Sequence, residues 1–120
     1  MGTKKYKWHK VAETAADLQW TAGNVSEVEV EGKKLCVVRF NEEWYGIAHT
    51  CPHAGAPMTD GYVAGGCNIV CPVHNLKFNL KNGRDVNGEG YKLKTYPVEV
   101  RGDGVYLGVE DEVGFFKKWF

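Results

Sequence analysis

Two short stretches place a thiol close to an imidazole: Cys51-Pro52-His53 and, after seventeen intervening residues, Cys71-Pro72-Val73-His74. Thiolate and imidazole are the donors that zinc and iron-sulfur centres use, and Cys-x-His or Cys-x-x-His spacing lets one loop present two donors to a metal centre. Each motif holds a proline that helps fix its bend. Gly55, Gly61, Gly65 and Gly66 supply backbone that can turn tightly or approach a cluster sulfide closely. Two chemistries are open to this donor set. One is a structural zinc site, although the usual finger keeps its cysteines in one motif and its histidines in the other. The second is a pair of irons, with both cysteines on one and both histidines on its neighbour, so that each mixed loop spans the centre.

The remaining cysteines and histidines fit less well. Cys36 lies inside a strand-like run and reads as a small buried hydrophobe. Cys67 stands four residues before Cys71 and could be a fifth ligand, but the tetrad is complete without it. His9 and His49 have no cysteine at motif spacing and read as surface or packing residues, although His49 is two residues from Cys51.

The elements that must position these loops follow an all-β rhythm, with fifteen glycines, few helical signals and short β-branched runs between turns. Val28 to Glu31 alternates, Gly32-Lys33 reads as a turn, and Lys34 to Phe40 reads as the partner strand. Trp44 to Ala48 follows the turn at Asn41-Glu42-Glu43. Lys94 to Val100 and Val105 to Val109 flank Arg101-Gly102-Asp103-Gly104, which reads as a hairpin turn and not as an adhesion signal. Ala12 to Leu18 is the one helix-like patch. Residues 50–75 interrupt this rhythm with three of the four prolines, four glycines and three cysteines. Loops of that length are usually functional, because bare loop recovers little of its ordering entropy unless something ties it down.

At 120 residues, with 43% hydrophobic and 25% charged residues, the chain has the size and composition of one soluble domain spanning 1–120. Fifteen basic residues balance fifteen acidic ones, so the global charge footprint of a nucleic-acid or anionic-membrane binder is missing. No run approaches 18 apolar residues and no signal peptide is visible, which predicts no membrane span and a cytoplasmic protein whose thiols stay reduced. Phe115-Phe116-Lys117-Lys118-Trp119-Phe120 ends an aromatic tail, 111–120, that is expected to fold back over the scaffold.

The paired loops resemble those of the Rieske iron-sulfur family, and the resemblance spans roughly residues 7–110. It implies an antiparallel β-sandwich or barrel scaffold with a small inserted cluster-binding subdomain at about 45–80. It also implies one 2Fe-2S cluster, held by Cys51 and Cys71 on one iron and by His53 and His74 on the other. Family members of the respiratory and photosynthetic complexes carry a loop disulfide where this chain has Ala56 and Val73. They carry a Ser and a Tyr, both donating hydrogen bonds toward cluster sulfur, where it has Leu76 and Phe78. The chain therefore resembles the soluble, low-potential ferredoxin branch, with Asn75 where the family usually has Gly. The implied function is that of a monomeric one-electron carrier, not itself an enzyme, between a reductase and an oxygenase or other redox enzyme. Partners are expected to dock on an apolar surface around His53, Pro57, Met58 and Leu76. A small subunit of a larger oxidoreductase such as nitrite reductase, and a structural zinc domain, are the alternatives.

Overall fold

The computed structural model describes residues 5–110 with the exception of Ala54, so the aromatic tail lies outside the described residues. Ten strands follow one another: β1 (Tyr6–Ala12), β2 (Val25–Val30), β3 (Lys33–Phe40), β4 (Glu43–Ala48), β5 (Tyr62–Ala64), β6 (Asn68–Cys71), β7 (Leu76–Asn79), β8 (Thr95–Tyr96), β9 (Val98–Arg101) and β10 (Gly104–Glu110). They pair antiparallel in three sheets, ordered β1-β10-β9, β2-β3-β4-β8 and β5-β6-β7.

Leu35, Cys36, Val37 and Val38 are consecutive and all buried, so the middle of β3 has no solvent face. Neighbouring residues of a strand point to opposite sides, and β3 therefore forms a wall between two cores. Leu35 and Val37 pack with Val28, Val30, Tyr96 and Leu107 between the first two sheets. Cys36 and Val38 face the other way, into a core shared with Ile47, Ile69, Phe78 and both motif cysteines, Cys51 and Cys71. The third sheet thus docks the edge that carries Cys71 on the back of the second.

Three expectations shift in detail. The β2–β3 turn is Glu31-Gly32 and not Gly32-Lys33: Val30 pairs with Lys33, and both turn residues have positive φ, 51° and 81°, as a two-residue hairpin of this twist requires. The expected strand Lys94–Val100 is broken at Pro97, which has no N–H for a ladder; Thr95-Tyr96 pairs with β4 and Val98–Arg101 with β10. The helix-like patch shortens to one 3-10 turn, Ala15–Asp17. β1 has no counterpart in the sequence reading, because its partner is the distant β10, with Tyr6 opposite Glu110.

Beyond β7 the chain adds two bridge-length segments to the third sheet. Asp85 pairs with Phe78, and Lys92 pairs with Arg84. Gly83 makes this possible, because it sits at φ 78° and a Cβ there would run into the carbonyl oxygen of Leu93.

Candidate metal centre

The first loop leaves β4 and closes on itself. The Met58 N–H donates to the His49 carbonyl at 2.6 Å, Cys51 N–H to Ala56 O at 2.8 Å and Gly55 N–H to Cys51 O at 2.9 Å. Met58 is fully buried beneath the loop and pins it to the core. The second loop is the β6–β7 hairpin end, where Cys71 pairs with Leu76 and residues 72–75 project. Asn75 has φ 55°, a left-handed conformation that Asn tolerates better than other side-chain-bearing residues. Asn therefore serves where Gly was expected.

The two loops bring the motif donors together as two pairs. Cys51 and Cys71 are 2% and 1% exposed and lie in the same core cluster. Burial holds the Cys71 thiol above its ordinary pKa; the Val73 N–H, which donates to its sulfur, works against this, and the Cys51 thiol and Asp60 add to the rise. The imidazoles of His53 and His74 meet edge to face, with centroids 5.0 Å apart and planes at 74°. His53 is half-buried and His74 exposed, so the thiol pair lies in the core and the imidazole pair reaches the surface.

Among the described residues no three His, Cys, Asp or Glu side chains form a group suited to one ion. The donors instead form two two-membered ends, an arrangement that fits a binuclear 2Fe-2S centre of two thiolates and two imidazoles. Two adjacent buried thiols also resist joint ionisation unless strong positive charge lies between them, which bound iron supplies.

The other candidates lie elsewhere. Cys67 lies in the turn just before β6, at φ 63° and beyond the end of the strand opposite Cys71. It neighbours Tyr45 and is the main reason the Tyr45 pKa is raised, ahead of burial and of Glu43. Cys36 is fully buried in β3, and burial pushes its thiol up to about 12. His9 pairs with Leu107 in the first sheet, and His49 binds Glu27 at 3.0 Å. The expected docking surface needs correction: Met58 and Leu76 are 0% and 4% exposed, because both anchor the loops from below. Val73, 49% exposed, and the exposed Pro52, Pro72 and His74 form the tip instead.

Sequence reasoning missed two residues beside the centre. The Tyr91 ring stands edge to face on His53, with centroids 4.7 Å apart and planes at 76°. Asp85, 7% exposed, accepts the backbone N–H groups of Glu89 at 2.9 Å and Tyr91 at 2.8 Å. These bonds, that of Glu89 first, hold its carboxyl below the usual carboxylate range. Asp85-Val86-Asn87-Gly88 had turn chemistry in the sequence, but nothing local tied it to the histidines.

A Rieske 2Fe-2S domain matches residues 7–97, and the chain belongs to that family. It is 36% identical over 86 residues to the ferredoxin component of the naphthalene 1,2-dioxygenase system of Pseudomonas aeruginosa, covering 71% of this chain and 82% of that protein. The complex of reduced oxygenase and oxidised ferredoxin in carbazole 1,9a-dioxygenase contains a chain that superposes with a TM-score of 0.68 at 31% identity, covering 83% of this chain and 91% of that one. The ferredoxin of carbazole 1,9a-dioxygenase from Nocardioides aromaticivorans IC177 gives 0.69 at 26% identity, covering 83% and 95%. The all-β fold, the family and its 2Fe-2S cofactor follow.

Proposed function

We propose that this chain is a one-electron carrier that delivers electrons from a reductase to an oxygenase, acting as an electron-transfer protein and not as an enzyme. The observation that supports this best is the split donor set, with a buried thiol pair and an imidazole pair at the surface. When bound there, a 2Fe-2S cluster supplies one reversible one-electron oxidation and reduction. In this reading Cys51 and Cys71 would hold one iron, and His53 and His74 would hold the other. The Val73 N–H steadies the Cys71 thiolate. The exposed His74 edge, flanked by Val73 and Pro72, gives a partner a short path to the centre. The naphthalene and carbazole dioxygenase ferredoxins support an oxygenase as the acceptor.

The organisation proposed is one domain, with the cluster-binding subdomain at about 45–80 built on the third sheet and its two loops. We place the protein in the cytoplasm as a monomer, on its four cysteines free of disulfides and on the few large apolar side chains exposed among the described residues. No helix among the described residues is long and apolar enough to cross a membrane. The test is a reconstituted chain of a nicotinamide-dependent reductase, this protein and a Rieske-type aromatic-ring oxygenase. Product formation that depends on this protein is expected. A protein that the reductase reduces but that passes no electron to any oxygenase tried, while copurifying with a large redox subunit, would overturn the free-carrier reading.

A further inference from the structure

His53 is the less exposed of the two motif histidines, and what covers it is a side chain from neither motif. Tyr91 sets its ring at 76° to the imidazole with centroids 4.7 Å apart, and the imidazole in turn meets His74 at 5.0 Å. Three aromatic rings therefore stand in a row, each edge to face with the next, a preferred aromatic geometry.

Tyr91 is itself held. The Asp85 N–H donates to the Tyr91 carbonyl at 3.1 Å, and the Tyr91 N–H donates back to the Asp85 carboxylate at 2.8 Å. The same carboxylate accepts the Glu89 N–H at 2.9 Å, so one buried acid closes the loop 86–90. Register fixes the direction as well. Phe78 pairs with Asp85, and Asp85 bonds across to Tyr91, so the three share the inner face of the sheet while Arg84 and Lys92 share the outer one. Phe78 is fully buried, which anchors the row to the core.

We propose that Tyr91 is a positioning residue for the metal centre: its ring fixes the orientation of His53 and keeps water from that side of the imidazole pair, and Asp85 is the clasp that holds Tyr91 in place. The inference rests on His53 being an iron ligand. It assigns the effect to the flat ring and not to the phenol hydroxyl. Water admitted beside His53 solvates the extra negative charge of the reduced centre, so loss of the ring raises the midpoint potential.

The experiment compares the wild type with Tyr91→Phe, Tyr91→Ala and Asp85→Asn at matched iron content, reading the midpoint potential by voltammetry and the backbone amide exchange of residues 87–91. Tyr91→Phe should keep the wild-type midpoint. Tyr91→Ala should raise it by roughly a threefold to tenfold change in the reduction equilibrium, tenfold being about 59 mV for one electron. Asp85→Asn, which keeps the side-chain shape, should move the midpoint the same way by less and speed exchange at Glu89 and Tyr91. A wild-type midpoint in Tyr91→Ala, or an equal shift in Tyr91→Phe, overturns the role of the ring. Unchanged exchange and midpoint in Asp85→Asn overturn the clasp, and that variant decides the matter if Tyr91→Ala does not retain iron. The ligand reading is judged separately, by whether His53→Ala still binds two irons.

Discussion

In the proposed reading four side chains, Cys51, His53, Cys71 and His74, carry the chemistry, and they are separable from the other cysteines by place as well as by spacing. Cys51→Ser or His74→Ala should lose or badly damage the visible spectrum of the cluster. Cys67→Ser should keep it, since Cys67 lies in the turn before β6, beyond the strand end opposite Cys71. Cys36→Ser should also keep it, at a stability cost of about 1–2 kcal/mol for a buried hydroxyl. Leu76 and Phe78 are buried side chains without a hydroxyl, so neither can donate a hydrogen bond to cluster sulfur. The midpoint potential should accordingly lie near the low end of the Rieske range, about −150 mV and not about +300 mV. Phe78→Tyr should raise it where the new hydroxyl reaches sulfur, and voltammetry at pH 7 reads the difference. This scale was the most legible in the sequence, because metal ligation admits few residue types and the loops must present them at fixed spacing. Tyr91 and Asp85 were not legible, since ordinary aromatic and acidic residues acquire their role only when the extended third sheet brings them to His53.

Among the elements, the second loop depends on one left-handed residue. Asn75→Gly should leave stability and spectrum nearly unchanged, whereas Asn75→Val, β-branched at φ 55°, should destabilise the loop by about 1–3 kcal/mol and loosen iron binding. Chemical denaturation and iron retention distinguish the two. The loop 86–90 gives a pH test. Backbone donors, Glu89 first, lower the Asp85 pKa, so its stabilising contribution is present above the unfolded value near pH 4 and is lost as pH falls through the lower folded value. Asp85→Asn should remove that part of the acid sensitivity in denaturation profiles taken from pH 6 downward. Hairpins were legible here wherever glycine, asparagine or acidic residues bracket apolar runs. The turn at Glu31-Gly32 was misread by one residue because Gly32 draws attention, while the inward set Val28 and Val30 fixes the register. β1 escaped because its pattern is explained only by β10 at the other end of the described chain.

For the molecule as a whole, β3 is the wall that separates scaffold from site, and its uninterrupted Leu-Cys-Val-Val run was a sequence signature of burial on both faces. The same architecture moves the proposed docking surface to the exposed tip of the second loop. Val73→Asp, at the exposed tip, should slow electron transfer to the oxygenase several-fold with the cluster spectrum unchanged. Met58→Asp should instead lower the melting temperature, because it buries a charge in the core beneath the first loop. Stopped-flow reduction of the partner and thermal melts separate these outcomes. A reductive titration of the purified protein, followed by its visible and electron paramagnetic resonance spectra, tests whether this fold holds a 2Fe-2S centre able to accept and release a single electron. A coloured protein that takes up one electron per chain in a single step and develops about one unpaired spin is predicted. A colourless, zinc-loaded protein that takes up none would contradict it.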